Sequence, residues 1–221
     1  MTPARAFLIV LLPIFAGCQS LPWSNAPPVQ VTERLQGEIT HRDGTLLLHT
    51  CNHQQRVELL DPATTGLPDD IHSLLSDVGQ PLFADVRGRL ISRADGGSQL
   101  QLTQVYRLQG EGHGCAARDF KQLSLHASGH EPGWSARISS QGMLLERPDH
   151  APVAVPYLEE QLPGGQTSFN SEANDYRLDL WVAPQRCVDS ATGAITHLTA
   201  ELRIDGQTLR GCAYYGGARN E

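Results

Sequence analysis

Two short stretches hold the residues best suited to chemistry: His49-Thr50-Cys51-Asn52-His53 and His113-Gly114-Cys115. Strand alternation places His49, Cys51 and His53 on one side. A Cys51–Cys115 bond would bring His113 to the same place, and an expected hairpin sets Glu38 opposite His49. Imidazoles suit copper or zinc, so His49, His53 and His113 make a candidate metal site. A disulfide sulfur is not a thiolate, so the imidazoles and Glu38 would have to supply the ligands. The competing reading makes the same cluster the solvent face of a barrel, where histidine is one more polar residue.

Other groups carry less chemistry. Glu131 in "GHEPGW" has the character of a general base, with His130 beside it. Adjacent strand residues point to opposite faces, and no nucleophile stands next to them. Trp134 reads as core. Glu159-Glu160 are neighbours in a Gly-rich stretch, whereas glycosidases need two carboxylates separated across a cleft. Ser135 lacks a Gly-x-Ser-x-Gly elbow, and no phosphate loop or dinucleotide fingerprint occurs. The chain therefore reads as a non-enzyme with no cofactor.

Charge narrows the partners further. The net charge is −7, and sixteen of the seventeen bases are Arg. Residues 29–116 carry eleven acids against seven bases, and residues 117–221 carry thirteen against nine. Acidity spread evenly with no basic patch argues against nucleic acid and against anionic lipid surfaces.

The N-terminus sets the expected address. Arg5 precedes the apolar run Ala6–Ala16, which is shorter than the about 20 residues a membrane span needs. A positive start, a short apolar core and the small residues Ala16 and Gly17 describe a signal peptide over 1–17. The cysteine that follows directly resembles a bacterial lipobox. The resemblance implies cleavage before Cys18, with acyl chains on its thiol and amine. Several chains hold a protein on a membrane stably, since each buried methylene contributes about 0.8 kcal/mol. Gln19 stands where an Asp would resemble an inner-membrane retention signal, which favours the outer membrane and its periplasmic face. Residues 18–30, rich in Pro, Ser and Asn, read as the lipidated tether.

Four cysteines remain: Cys51, Cys115, Cys187 and Cys212. In an exported chain they imply two disulfides, and four cysteines allow three pairings. Cys51–Cys115 with Cys187–Cys212 is the simplest, because each half of the chain then closes on itself.

The elements that position these residues are mostly strands. Asp43-Gly44 is a two-residue hairpin signal. Pairing Arg42 with Thr45 sets Ile39 against Leu48 and His41 against Leu46, which puts Leu35, Ile39, Leu46 and Leu48 on one face. "QRVELLDP" continues as a third strand. "PDDIHSLLSDVG" reads as a helix with Asp69 and Asp70 at its positive end. "PLFADVRGRLIS" and "SQLQLTQVYRL" complete the half. Three strands, a helix and two strands is the order of an OB-type barrel. The second half reads as short strands: "GWSARISS", "GMLLER", "APVAVPY", "YRLDLWVA", "ITHLTAELRI" and "QTLRGCAYY". Asp205-Gly206 predicts another hairpin, with Leu202 facing Leu209 and Glu201 facing Arg210 as a charge-matched pair.

The fold class is thus mainly β: an OB-like five-stranded barrel with one helix over 31–116, then a small all-β barrel or sandwich over 117–221. "G-E-I", "LLLHTC", "PLFADVRGRL" and Cys115 resemble the OB-fold domain of NlpE-type envelope lipoproteins. "GHEPGWSARI" and "C-V-D…R-I-D-G-Q-T-L-R-G-C-A" resemble a META-like family of envelope lipoproteins. The NlpE-type resemblance implies copper tolerance or surface-stress signalling, and the shallow face of an OB-type barrel points to a non-enzymatic binding or sensing module that contacts envelope proteins or cell-wall glycan. Two alternatives are a copper- or zinc-binding, metal-tolerance protein and an inhibitor of cell-wall hydrolases.

Overall fold

The structure, a computed structural model, describes residues 32–42, 44–52, 54–77, 81–173 and 176–219. Cys18, the leader over 1–17, the tether over 18–30 and His53 lie outside the described residues. The chain from Val31 to Glu221 forms one compact unit.

Turn chemistry sets the first hairpin. Strands β1 (Thr32–Arg42) and β2 (Thr45–Thr50) pair with Arg42 opposite Thr45, Ile39 opposite Leu48 and His41 opposite Leu46, the expected register. Strands β3 (Arg56–Leu60), β4 (Leu82–Ser92) and β5 (Ser98–Gln109) complete a closed barrel in the order β1-β2-β3-β5-β4-β1. The β3–β5 pair is parallel and the rest antiparallel, the OB-like arrangement. Helix α1 (Leu67–Asp77) starts with Asp69 and Asp70 in its first turn. It buries Leu67, Ile71 and Leu74 against barrel residues such as Leu48, Val57 and Leu100. Each such side chain contributes about 1.5–3 kcal/mol by leaving water.

The second half builds a nine-stranded curled sheet. Its strands are β6 (Leu123–His130), β7 (Gly133–Ser139), β8 (Gly142–Glu146), β9 (Val153–Val155), β10 (Leu158–Gln161), β11 (Thr167–Ala173), β12 (Tyr176–Ala183), β15 (Leu198–Ile204) and β16 (Gln207–Tyr215). They run in the order β10-β11-β12-β15-β16-β6-β7-β8-β9. Across the Asp205-Gly206 turn, Leu202 faces Leu209 and Glu201 faces Arg210, as expected. Trp134 lies in the core of this sheet with Phe169 and Leu180.

The short strands β13 (Cys187–Val188) and β14 (Ile195–Thr196) leave the second sheet and extend the first, with β14 pairing to β5. The stretch expected as a single strand, "ITHLTAELRI", therefore divides at His197. The His197 amide donates to the Tyr106 carbonyl at 3.2 Å, and the chain passes there from one sheet to the other. Both disulfides form with the simplest pairing, Cys51–Cys115 and Cys187–Cys212. The second ties β13 to β16 and so fastens the returning hairpin onto the curled sheet.

Where the sheets meet, strands are covered on both faces. Leu82–Val86 and Tyr106–Gln109 are buried in unbroken runs rather than alternately. Arg34 staples the contact. Its guanidinium grips Asp85 through Nε and Nη2 at 2.8 and 2.7 Å. It also donates to the Tyr215 and Gly216 carbonyls at 2.7 and 3.1 Å, and it stacks on Tyr106 at 3.9 Å.

Candidate functional site

On β6, Leu123, Leu125, Ala127 and Gly129 turn inward, while Ser124, His126, Ser128 and His130 face the other way. On β16 the inward set is Leu209, Ala213 and Tyr215, which leaves Cys212 and Tyr214 on the outer face. In an isolated sheet that outer face would be wet. Here the end of β5 and the β13–β14 hairpin stand over it. Between them lies a cleft of about 780 Å³ bordered by Arg107, His113, Arg118, His126, Asp189 and Tyr214, among others.

Arg107 is the deepest charge in the cleft wall, only 5 % exposed. Register sets it between Asp85 on β4 and Thr196 on β14. Its guanidinium lies between two rings, 4.2 Å from the Tyr214 centroid and 4.6 Å from that of Phe83. Asp85, the acid across the ladder, is engaged by Arg34 and by Gln36 Nε2 at 2.9 Å. Nε and Nη2 of Arg107 consequently donate to nothing among the described residues. Each unmet buried donor costs about 1–3 kcal/mol, which the two cation–π contacts offset in part. Burial pushes the Arg107 guanidinium below its ordinary value, yet an arginine stays charged at any physiological pH.

The charge of Arg107 shapes its neighbours. His126 stacks on Tyr214 with centroids 5.1 Å apart. Burial, then the positive charges of Arg107 and Arg137, push the His126 imidazole down to about 4, so it is neutral at pH 7. Burial pushes the Tyr214 phenol up despite the opposing pull of Arg107, so it stays protonated. On the far wall, His130 Nε2 meets Asp189 Oδ2 at 2.9 Å. Burial alone would raise the Asp189 carboxyl, but the amide and hydroxyl of Thr192, the Ala191 amide and His130 together lower it. Arg137 pairs with Glu146 at 3.2 Å and approaches Asp119 at 3.9 Å.

The residues singled out from sequence are distributed differently. His113 borders the cleft. His49 faces Glu38 across the β1–β2 ladder, and its Nε2 lies 3.4 Å from the Thr40 hydroxyl. His53 is outside the described residues. Among the described residues, no group of three or more His, Cys, Asp or Glu side chains is placed to hold a metal. Glu159 pairs with Arg219 at 2.8 Å, and Ser135 donates weakly to Glu146 at 3.4 Å. Sequence reasoning passed over Arg107, His126, Asp189 and Tyr214. The one local signal was a charge inside an apolar strand, Val105-Tyr106-Arg107-Leu108.

Fold and site together define a mainly β, doubly disulfide-bonded protein in which an OB-like barrel and a curled sheet enclose a polar cleft. The chain finds no match among protein-family models, curated proteins or solved structures. No helix among the described residues is long and apolar enough to cross a membrane.

Proposed function

We propose that this chain is a lipid-anchored envelope protein on the periplasmic face of a bacterial outer membrane, where it works as a non-enzymatic binding or sensing module. Its ligand site is the cleft between barrel and curled sheet. The observation that carries this reading is the cleft of about 780 Å³ with the buried, unsatisfied Arg107 in its wall. A cavity of this size with a few convergent polar groups is the usual form of a small-molecule site. The hydroxyls that border the cleft make no hydrogen bond to a histidine among the described residues; Thr192 donates to Asp189 instead. The address rests on the lipobox-like Cys18.

The test is photo-crosslinking in intact cells. A photoreactive residue at Thr192, on the cleft, should capture an envelope protein or wall fragment that the same group at Thr208, on an exposed stretch of β16, does not. Equal capture from both positions, or none from Thr192, rejects the cleft as the working surface. Mass spectrometry of the mature chain tests the anchor separately, and an unacylated Cys18 rejects it.

A further inference from the structure

We infer that the cleft takes an organic anion and that Arg107 holds its carboxylate. This rests on the cleft being the binding site and goes further by naming what is bound there.

The molecule supplies its own reference for such a contact. Arg34 holds the Asp85 carboxylate side-on through Nε and Nη2. Arg107 sits across the ladder from the same Asp85 and has the same two nitrogens without a partner among the described residues. Asp85 already accepts from Arg34 and from Gln36, so it is committed. Stacking between Phe83 and Tyr214 fixes the plane of the Arg107 guanidinium. A fork held in one plane is pre-organised for the two parallel bonds a carboxylate accepts. The two nitrogens are shut off from water, and the half-buried Tyr214, stacked on the same guanidinium, lines the cleft. A carboxylate reaches the fork only when this ring moves aside, with the Phe83 ring still against the guanidinium.

The head group follows from which buried cation is left without a partner. Arg107, Arg118 and Arg137 border the cleft together with Glu111, Asp119 and Asp189. Asp189 is engaged by its own turn and by His130, and Asp119 lies near Arg137 at the exposed rim. These three arginines and three acids balance in number, and Arg107 is the buried cation of the set, with no ion-pair partner among the described residues. A singly charged carboxylate matches that better than a phosphate dianion, and the remaining volume accommodates an organic body beside Gln109, Ser128 and Thr192.

The experiment uses the full chain in detergent, with its arginine side-chain N–H and histidine signals followed by NMR. The probes are acetyl-trialanine as the free acid, the same peptide as its amide, and inorganic phosphate. The acid should shift the Arg107 Nε–H signal and raise the titration midpoint of His126 from about 4, because new negative charge beside Arg107 favours the imidazolium. The amide should do neither. Arg107→Lys keeps the charge without the fork and should weaken the acid at least about tenfold. The wild-type signals report even where that variant folds poorly. Phosphate binding at Arg107 as tightly as the acid overturns the carboxylate assignment. Acid and amide shifting cleft signals alike, with Arg107 unmoved, overturns the inference and leaves the cleft a binding site. No shift with any probe overturns the inference as well, and the crosslinking at Thr192 then decides the broader reading alone.

Discussion

Arg34 and Arg107 flank one carboxylate, and only one of them has it. Arg34 is bonded to Asp85 and to two carbonyls of the curled sheet, so its charge is used up in joining barrel to sheet. Arg107 is buried at least as deeply but pairs with no acid among the described residues, and it is packed against two rings at the edge of a cleft. The difference separates an ion pair that holds the fold from a cation that the fold tolerates. Removing one partner of a buried pair strands the other charge, whereas removing an unpaired buried charge relieves a cost.

That contrast gives the largest expected effect. Arg34→Met leaves Asp85, fully buried, without its cation and should lower unfolding free energy by about 3–5 kcal/mol in urea titration. Arg107→Met, tested in the same way without ligand, should be neutral or stabilising. Equal losses from the two substitutions would mean that both cations are structural and would erase the distinction. The disulfides sharpen it next. With their cysteines separated by 64 and 25 positions, Cys51–Cys115 and Cys187–Cys212 should contribute about 4 and about 3.5 kcal/mol in the chain-entropy model. Only Cys187–Cys212 fastens the hairpin whose Thr196 pairs with Arg107. Cys187→Ser with Cys212→Ser should therefore loosen hydrogen-exchange protection along β14 while leaving β1, the Arg34 strand, protected.

The acid response probes the field of Arg107. His126 titrates at about 4 when folded against an ordinary 6.5, so the unfolded chain binds its proton first as pH falls. This stability term is present above about pH 6.5 and is lost progressively down to about pH 4. At about 1.4 kcal/mol per pH unit the full loss is about 3 kcal/mol. His126 faces Arg107, Arg137 and Asp119 and stacks on Tyr214. Arg107→Met should raise its NMR titration midpoint, and Arg34→Met should leave it unchanged. An unmoved midpoint in Arg107→Met would show that burial alone sets it.

Much of the frame was legible because its causes are local. Asp43-Gly44 and Asp205-Gly206 set two registers residue by residue, and alternation then chose the buried faces. Helix α1 followed from its acidic first turn and the spacing of Ile71, Leu74 and Leu75. The cysteine pairing followed from the division of the chain into halves. The cleft was not legible, because its causes are non-local. Strand β6 alternates Leu123, Leu125 and Ala127 with polar residues, a readable pattern that the glycine and two serines of "LSLHASGH" obscured. Strands β13 and β14 have two residues each, and their place is set by the edge of β5, on which β14 pairs, and by the Cys187–Cys212 bond. That Arg107 has no acid depends on Arg34, seventy-three positions away, having taken it.

The smallest expected effect supplies the baseline for reading the others. Arg210 faces Glu201 across the second hairpin at 3.6 Å, and its side chain is 83 % exposed. An ion pair in water gains little, since solvent screens it and two long side chains lose freedom to hold it. Arg210→Ala should change unfolding free energy by less than about 0.5 kcal/mol, and raising the salt concentration should leave wild type and variant together. Three arginines then span the range from a paired and buried charge through a buried and unpaired one to a paired charge in solvent. A loss at Arg210 comparable to that at Arg34 would mean that truncating the aliphatic stem, rather than removing the charge, governs all three, and the assignment of Arg107 to a ligand would lose its energetic basis.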